Sequence, residues 1–342
     1  MPESYFDLDY EDRREVLELA ATNSGRPSHL LEKDIWVVWC LKTLFQSEIG
    51  TPLVFKGGTS LSKAYGVIRR FSEDVDLTYD IRELAGDLVG DAPDALPRSR
   101  SQGGKWTKEV RERLPAWVAE CAAPLLEDAM RKVEPDGDIR VTEDEIHVQY
   151  AARGPTSDYV RPEVKLEFGA RATGEPNETL PLACDAAPHV DGVIFPTASP
   201  RVMTAQRTFW EKATAAHVYC LQGRLRGDRF ARHWYDLTQL AGAGYADKAM
   251  KDRALGAAVA AHKAMFFREK DREDQLIDYA AAVSGNLTLV PEGDARYALA
   301  KDYDAMVGDG LLMDAPEPFE ELMRTCADLQ QRCRDLTTGP GT

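Results

Sequence analysis

Apolar residues along the chain follow two different periods, and the change falls near residue 203. Before it, short apolar or alternating runs predict strands at 53–55 and 75–79, and further strands in the runs IRVTED, IHVQYAAR and PEVKLEFGAR. From Met203 to about Leu336 the spacing is that of helices. The pattern predicts an α+β protein in which a mixed sheet with helices is followed by a helical C-terminal part.

Four helices are predicted before this change of period. They cover residues 11–21, 30–45, 59–66 and 105–132, and the second is apolar on most sides, which indicates a buried helix. Glycines and prolines between residues 84 and 104 predict a long loop. We place the domain boundary after residue 199, which gives a core of residues 1–199 with the N-terminal helices and a helical domain of residues 200–342.

The composition fits a folded protein and disfavours a charged disordered arm, a zinc-binding protein and a membrane protein. The 342 residues are 44% hydrophobic, and the acids behind the net charge of −15 are scattered, so no charged arm is expected. Six cysteines show neither CxxC pairs nor zinc spacing and are expected to be reduced core thiols. The N-terminal segment lacks an apolar signal region, and no run of about 18 apolar residues occurs. We therefore expect a cytoplasmic protein with no membrane partner.

Two acids stand two residues apart in the second predicted strand, at Asp74 and Asp76. Alternate strand residues share a face, so the two carboxylates project side by side while Val75 and Leu77 face the core. Like charges at this spacing repel each other, and a divalent cation offsets that repulsion. The structural alternative is a solvated strand edge. The functional interpretation is a Mg²⁺ site, with Mn²⁺ as the alternative ion.

A glycine turn precedes this strand where the strand at 53–55 ends and a helix begins. The run KGGTSLSK spans residues 56–63 and places Gly57, Gly58 and Thr59 in the first turn of that helix. Free N–H groups and the helix dipole at such a position can bind phosphate oxygens. A plain turn is the alternative for the glycines alone. The turn and the acid pair together predict a site for a nucleoside triphosphate and Mg²⁺.

A third carboxylate is expected from a neighbouring strand, because two-metal nucleotidyl transfer commonly uses three. In the run VKLEF the apolar residues 164, 166 and 168 alternate with Glu163, Lys165 and Glu167, which predicts a half-buried strand with an acidic face. Glu167 is the predicted third metal ligand, and Glu163 is the alternative. A Glu-Lys-Glu solvent face remains the structural interpretation.

The helical part supplies candidate cations. Lys212 lies near the start of a predicted long helix, where its ammonium could reach a phosphate. Further on, Arg229, Arg232, His233 and Asp236 fall at i, i+3, i+4 and i+7 and are predicted to share one helix face. That face is either a surface ladder of ion pairs or one wall of a site.

Five segments together resemble the AbiEii/AbiGii-type nucleotidyltransferase toxin family, which includes the MenT toxins and has a DNA polymerase β-like minimal nucleotidyltransferase core. The matching segments are KGGTSLSK at 56–63, RRFSEDVDL at 69–77, VKLEF at 164–168, RTFWEKA at 207–213 and RHWYDL at 232–237. Their combination is much more specific than any one of them. The resemblance implies a polymerase β-like core followed by a helical domain that completes the nucleotide site and contributes to acceptor binding.

The resemblance also implies roles for particular residues. The predicted catalytic residues are Ser72, Asp74, Asp76, Lys212 and Asp236. The predicted nucleotide-binding residues are Lys56, Gly57, Gly58, Thr59, Ser60, Lys63 and Lys212. Asp74, Asp76 and Glu167 are the predicted metal ligands, and Arg229, Arg232 and His233 are candidates for acceptor binding.

The activity implied by the resemblance is Mg²⁺-dependent transfer of a nucleoside monophosphate from an NTP to RNA, with the 3′ end of tRNA as the expected acceptor. Such a protein would be the toxin of a toxin–antitoxin or phage-defence system, with a cognate antitoxin as a further partner. The acidic net charge disfavours RNA, whereas two basic groups, one between Arg98 and Arg113 and one at Arg224, Arg226, Arg229 and Arg232, favour it. Transfer to a protein side chain and nucleotide binding without turnover are the alternatives.

Overall fold

The computed structural model describes residues 2–72, 74–92, 94–153, 161–224, 229–308 and 312–338, and residues 336–338 are described without their side chains. It confirms the predicted α+β class, with a mixed sheet and a helical C-terminal region. The chain divides into two units. The sheet unit comprises Met1–Ala64, Glu73–Ala95 and Lys105–Met203, and the helical unit comprises Tyr65–Ser72, Leu96–Gly104 and Thr204–Thr342. The predicted division after residue 199 stays a prediction.

The first part of the chain contains both helices and strands. In order, they are β1 (Glu3–Ser4), α1 (Tyr10–Ser24), α2 (Ser28–Phe45), β2 (Leu53–Lys56), α3 (Gly57–Lys63), β3 (Asp74–Tyr79), α4 (Ile81–Leu84), α5 (Gly86–Val89), α6 (Arg100–Trp117), α7 (Ala123–Val133), β4 (Asp138–Thr142), β5 (Glu145–Gln149), β6 (Glu163–Gly169), β7 (Asn177–Thr179), β8 (Leu182–Ala183), β9 (Val193–Ile194), β10 (Thr197–Ala198) and β11 (Arg201–Met203).

The region predicted as a loop at 84–104 and a helix at 105–132 differs in detail. The structure has α5 inside the predicted loop, and α6 begins at Arg100. A π-helical segment, Val118–Ala122, separates α6 from α7. Pro115 lies inside α6 and has no N–H group to donate, so the helical hydrogen-bond ladder is interrupted shortly before this segment.

The main sheet has seven strands in the order β4-β5-β6-β3-β2-β11-β7. Strand β3 is the middle strand of this order, parallel to β6 and antiparallel to β2. Every residue of α2 from Leu31 to Leu41 is buried, as the apolar sequence of that helix predicts. The strand that carries the acid pair is therefore held between two paired neighbours.

The helical unit contains the remaining elements. They are α8 (Ala205–Gln222), α9 (Arg232–Gly242), α10 (Tyr245–Lys251), α11 (Arg253–Phe266), α12 (Tyr279–Ala281), α13 (Gly293–Gly308) and α14 (Phe319–Thr338). Its core includes Trp210 and Trp234, whose indole N–H groups donate to the carbonyls of Ala249 and Leu289. None of the helices within the described residues has the length and apolar character needed to cross a membrane.

Candidate functional site

Strand β3 presents Asp74 and Asp76 on one face of the sheet. Val75 and Leu77 point to the other face, and both are completely buried. This alternation follows from the two-residue period of a strand, so burial of the apolar pair orients the two acids in the same direction. The structure therefore has the side-by-side arrangement of carboxylates that the sequence predicts.

Gly57 makes the turn from β2 into α3 and lies directly against Asp76. Its φ of +79° belongs to the left-handed region that favours glycine. A Cβ atom built on Gly57 would be 2.0 Å from Oδ2 of Asp76, closer than any non-bonded contact allows. The glycine is therefore required both for the turn and for the position of the Asp76 carboxylate.

The first residues of α3 contribute backbone groups to this turn. The Thr59 hydroxyl donates to the carbonyl of Asp74, and the Ser60 hydroxyl donates to the carbonyl of Gly57 at 2.9 Å. Both side chains are buried, so the two hydroxyls serve local structure. The N–H groups at the start of a helix have no carbonyl partner within that helix. Thr59 and Ser60 were predicted to bind the nucleotide. Because their hydroxyls already donate to backbone carbonyls, the structure favours phosphate contacts through their backbone N–H groups.

Gly57→Ala should remove most of the activity of this site. The added Cβ would displace the Asp76 carboxylate, and the left-handed backbone would add roughly 1–2 kcal/mol of strain. Gly25→Ala is the matched control, because Gly25 has a φ of +71° with no atom within 4 Å of the added Cβ. We expect similar losses of stability in thermal denaturation, and loss of nucleotidyl transfer in Gly57→Ala alone. Wild-type transfer by Gly57→Ala would contradict the importance of this contact.

Strand β6 places Glu167 beside the acid pair. Asp76 is the register partner of Glu167, and Asp74 is the register partner of Lys165. Lys165 Nζ contacts Oε1 of Glu167 at 2.6 Å and Oε1 of Glu145, on β5, at 2.9 Å. Partial burial lowers the pKa of Lys165, but the bonds to Glu167 and Glu145 outweigh it and raise that pKa, so the ammonium stays charged.

Glu163, the alternative third ligand, lies in a different environment. Its carboxylate contacts His147 Nδ1 at 3.0 Å and accepts a hydrogen bond from Gln149 at 2.9 Å. It pairs in register with Gln149 and lies outside the residues of β6 that pair with β3. The register therefore favours Glu167 over Glu163.

The donors at this site suit Mg²⁺ and a triphosphate. Asp74 and Asp76 offer carboxylate oxygens, which Mg²⁺ prefers, and the glycine turn offers N–H groups beside them. In the part of the chain that the structure describes, no group of three or more His, Cys, Asp or Glu side chains converges as a metal site. Glu167 is engaged by Lys165 in this arrangement, and the three-carboxylate set stays a prediction.

Lys63 was predicted to bind nucleotide, and the structure places it in a buried ion-pair network. Its ammonium contacts Asp34 at 2.6 Å and Asp185 at 2.6 Å and donates to the carbonyl of Ala183 at 3.0 Å. Burial lowers the pKa of Lys63, but the two carboxylates reverse this effect and raise it. These partners favour a structural role for Lys63 over the predicted phosphate contact.

Lys63→Met should mainly reduce stability. It would leave Asp34, which is buried in α2, without its cation, and breaking such a buried pair costs about 3–5 kcal/mol. Lys132→Met, at an exposed position of α7, should cost less than about 0.5 kcal/mol. Urea denaturation of both variants measures the difference. Wild-type stability of Lys63→Met together with lost nucleotide binding would instead support the predicted phosphate contact.

The helical unit brings Lys212, Asp236 and Arg70 together. Arg70 donates two hydrogen bonds of 2.8 Å to the Asp236 carboxylate, from Nε to Oδ1 and from Nη2 to Oδ2. Lys212 Nζ contacts Oδ2 of the same carboxylate at 2.7 Å. The Asp236 side chain is 0% exposed, while those of Arg70 and Lys212 are 3% and 10% exposed. We call these three residues the cation cluster.

In the cation cluster, Arg70 and Lys212 contact the same carboxylate, that of Asp236. Burial raises the pKa of Asp236, but Arg70 and Lys212 overcome this effect and hold it well below its usual range. Burial, together with the charge of Lys212, lowers the pKa of the neighbouring His233 to about 3, so its imidazole is neutral at physiological pH. Within the described ranges, Nδ1 of His233 is buried without a hydrogen-bond partner. A phosphate is the kind of anion that such a pair of cations binds.

One of the four residues predicted to share a helix face, Arg229, lies outside that helix. Helix α9 begins at Arg232, and Arg229 lies before it with a φ of +63°, so Arg229 is not on the helix face. The N–H groups of Arg229 and Ala231 donate to the Asp302 carboxylate, which fixes this bend. His233 is half-buried and its Nδ1 atom is buried, which disfavours a direct contact of this residue with an acceptor.

The remaining predicted residues are Ser72, Lys56 and the two basic groups. Ser72 is half-buried, and Lys56 is the register partner of Asp76. In the first basic group, Arg113 contacts Asp87 and Glu109, and Lys108 contacts Glu112, so part of its charge is neutralised. Arg226 of the second group lies outside the described residues.

Sequence reasoning missed Arg70 and Glu145. Arg70 stands in the quoted run RRFSEDVDL, but its partner Asp236 is 166 residues away, and no local spacing rule connects them. Glu145 follows a tight turn between β4 and β5, and only the strand register brings it to Lys165 and Glu167. Both residues were missed because their partners are distant in the sequence and meet only in the folded protein.

Strand β3 thus presents two carboxylates beside the glycine turn that begins α3, as expected for a nucleotidyltransferase. The sequence model of the family described as "Nucleotidyl transferase AbiEii toxin, Type IV TA system" matches residues 39–325. The chain belongs to this family of nucleotidyltransferase toxins.

Solved structures that align with most of this chain include two bacterial proteins. JHP933 from Helicobacter pylori is 17% identical, with 92% of this chain and 94% of that chain covered and a TM-score of 0.41. MenT4, a nucleotidyltransferase toxin from Mycobacterium tuberculosis H37Rv, is 16% identical, with 94% and 98% covered and a TM-score of 0.38. No curated protein sequence matches the chain.

Proposed function

We propose that this toxin transfers a nucleoside monophosphate from an NTP to RNA in a Mg²⁺-dependent reaction, with the 3′ end of tRNA as the acceptor. The observation that carries the proposal is the Asp74–Asp76 pair, with the Asp76 carboxylate lying against the left-handed turn at Gly57. This contact places acidic oxygens beside the N–H groups at the start of α3, which have no carbonyl partner within that helix. A metal-bound triphosphate presents the complementary charges.

Asp74 and Asp76 would hold Mg²⁺, with Glu167 as the third carboxylate. When bound, the ion would neutralise phosphate charge and orient the triphosphate for in-line attack by a hydroxyl on the α-phosphate, with pyrophosphate as the leaving group. The N–H groups of Gly57, Gly58 and Thr59 would orient the phosphates, and Lys56 would add positive charge at the same end of β2. Positioning and charge compensation are the main contributions expected of the protein.

Lys212 is the proposed phosphate-binding residue of the helical unit. Arg70 makes a bidentate contact with Asp236, and Lys212, which contacts Oδ2 of the same carboxylate, would also bind a phosphate oxygen. Asp236 would act as a positioning residue that orients the Lys212 ammonium. Arg229 and Arg232 stay as proposed RNA contacts, and Ser72 stays a proposed active-site residue.

Incubation of the purified protein with Mg²⁺, total RNA and each α-labelled NTP in turn tests the proposal. We expect the label in tRNA, with one NTP preferred. Label in protein would replace RNA by a side-chain acceptor, and nucleotide binding without label in any product would indicate regulation without turnover. In cells, expression should arrest growth, and the arrest should disappear in variants that do not transfer nucleotide.

A further inference from the structure

The polar face of the main sheet carries two adjoining rows of charged residues, formed by strands in register. The first row runs from Lys56 through Asp76 and Glu167 to Glu145. The second runs from Asp74 through Lys165 and His147 to Arg140. Side chains of directly paired residues lie about 5 Å apart at Cβ, so these charges act on one another. The acids of the proposed metal site are part of this larger array.

Lys165 is the cation at the centre of the array. It bridges the two rows, with Nζ 2.6 Å from Glu167 and 2.9 Å from Glu145, and its register partner on β3 is Asp74. Its side chain is 29% exposed, so these contacts are less screened than those of a fully exposed ion pair. The Lys165 ammonium therefore compensates carboxylates that would otherwise repel one another.

Glu167 lies between two competing positions. In register it is beside Asp76, where it could serve the proposed metal, but its Oε1 is held by Lys165. A divalent cation near Asp74 and Asp76 would repel the ammonium of Lys165 and attract the carboxylate of Glu167. The single negative charge of this carboxylate cannot neutralise both the metal ion and the Lys165 ammonium. The remaining partner of Lys165, Glu145, could retain the ammonium after Glu167 is released.

We propose that Lys165 is an internal counter-cation that competes with the divalent metal for Glu167 and so sets the metal affinity of the site. The inference rests on the proposed function, because it takes Asp74, Asp76 and Glu167 as the metal ligands. It assigns Lys165 a positioning role through Glu167, and Glu145 the role of holding Lys165 when the metal binds.

Direct Mn²⁺ titration of the purified protein, followed by the EPR signal of the free ion, tests the inference. Lys165→Met should bind Mn²⁺ about tenfold more tightly than the wild type, the change expected when one like charge at ion-pair distance is removed. Lys165→Arg keeps the charge and should retain near wild-type affinity. Lys132→Met, which removes an exposed lysine elsewhere in the sheet unit, should leave Mn²⁺ affinity unchanged.

Thermal denaturation gives a second measurement. In EDTA, Lys165→Met should melt several degrees below the wild type, because Glu167, Glu145 and Asp74 lose their shared counter-charge. Saturating Mn²⁺ should raise the melting temperature of this variant more than that of the wild type. Lys165→Gln, which keeps a polar side chain, should behave like Lys165→Met in both respects if charge is the cause.

The possible outcomes separate this inference from the proposed function. Equal Mn²⁺ affinity in wild type and Lys165→Met, with normal nucleotidyl transfer by the wild type, would overturn the inference and leave the function intact. Tighter Mn²⁺ binding by Lys165→Met without any transfer by the wild type would support the inference and overturn the function. Absence of Mn²⁺ binding in both proteins would overturn the inference and the metal site together.

Discussion

Asp76→Asn is expected to abolish nucleotidyl transfer, with a loss of at least about a thousandfold, while the protein stays folded. The substitution removes one of two charges that would hold the metal and changes the volume of the side chain very little. Asp74→Asn should have a similar effect. Removing one acid from a mutually repelling pair should leave stability unchanged or slightly increased. Transfer assays and thermal denaturation of the same preparations measure both effects.

Asp138→Asn is the control for these substitutions. Asp138 is an exposed acid of β4, at the edge of the same sheet, and its variant should transfer nucleotide at the wild-type rate. If Asp76→Asn or Asp74→Asn unfolded but kept wild-type activity per folded molecule, the acid pair would be structural. The proposed site would then be wrong.

Asp236→Asn is expected to cause a large loss of stability, about 3–5 kcal/mol. Asp236 is completely buried, and its removal would leave Arg70 and Lys212 as two buried cations without their shared acid. Lys212→Met should cost much less, because Arg70 still neutralises Asp236 through both oxygens. Urea denaturation of the two variants and of the double variant provides the test. The double variant should be more stable than Asp236→Asn alone.

The same pair of variants separates stability from function. Lys212→Met should remain folded and still lose about 10- to 1,000-fold in transfer, as expected for one charge-assisted phosphate contact. Lys212→Arg should recover only part of that loss, since a planar fork replaces a compact charge. Wild-type affinity for NTP and wild-type rates in Lys212→Met would exclude Lys212 from the nucleotide site. Equal stability losses in Asp236→Asn and Lys212→Met would contradict the charge balance proposed for the cluster.

The pH dependence of the Asp236 contribution has a defined sign. The pKa of Asp236 in the folded protein lies below its value in the unfolded chain, so folding is favoured wherever the unfolded carboxylate is ionised. This stabilisation is present at neutral pH. It should be lost as the pH falls below the ordinary range of a carboxyl group toward the lowered value.

Local features of the site could be predicted from the sequence because they depend on neighbours along the chain. The two-residue period of β3 orients Asp74 and Asp76, and the glycines that follow β2 indicate the turn against which Asp76 packs. The alternation in β6 likewise predicts a face with Glu167. Strand and turn geometry were therefore accessible without a structure.

Partners that are distant in sequence could not be predicted in this way. Lys63 lies in the same helix as the glycine turn, yet its ammonium pairs with Asp34 and Asp185. Arg70 contacts Asp236, which is 166 residues away in the sequence, and Lys165 contacts Glu145 only through the register of β5 on β6. Arg229 has the spacing of a helix face, but its left-handed backbone places it outside α9. Tertiary pairing decided each of these cases.

The most direct test of the central claim is labelling of tRNA with each α-labelled NTP in the presence of Mg²⁺, using intact tRNA and tRNA whose 3′-terminal ribose has been oxidised with periodate. The wild-type protein should label intact tRNA with a preferred nucleotide and leave oxidised tRNA unlabelled, because the attacking 3′ hydroxyl is gone. Asp76→Asn, folded to the same extent, should label neither. Equal labelling by wild type and Asp76→Asn, or no transfer to RNA by the wild type with any NTP, would contradict the account.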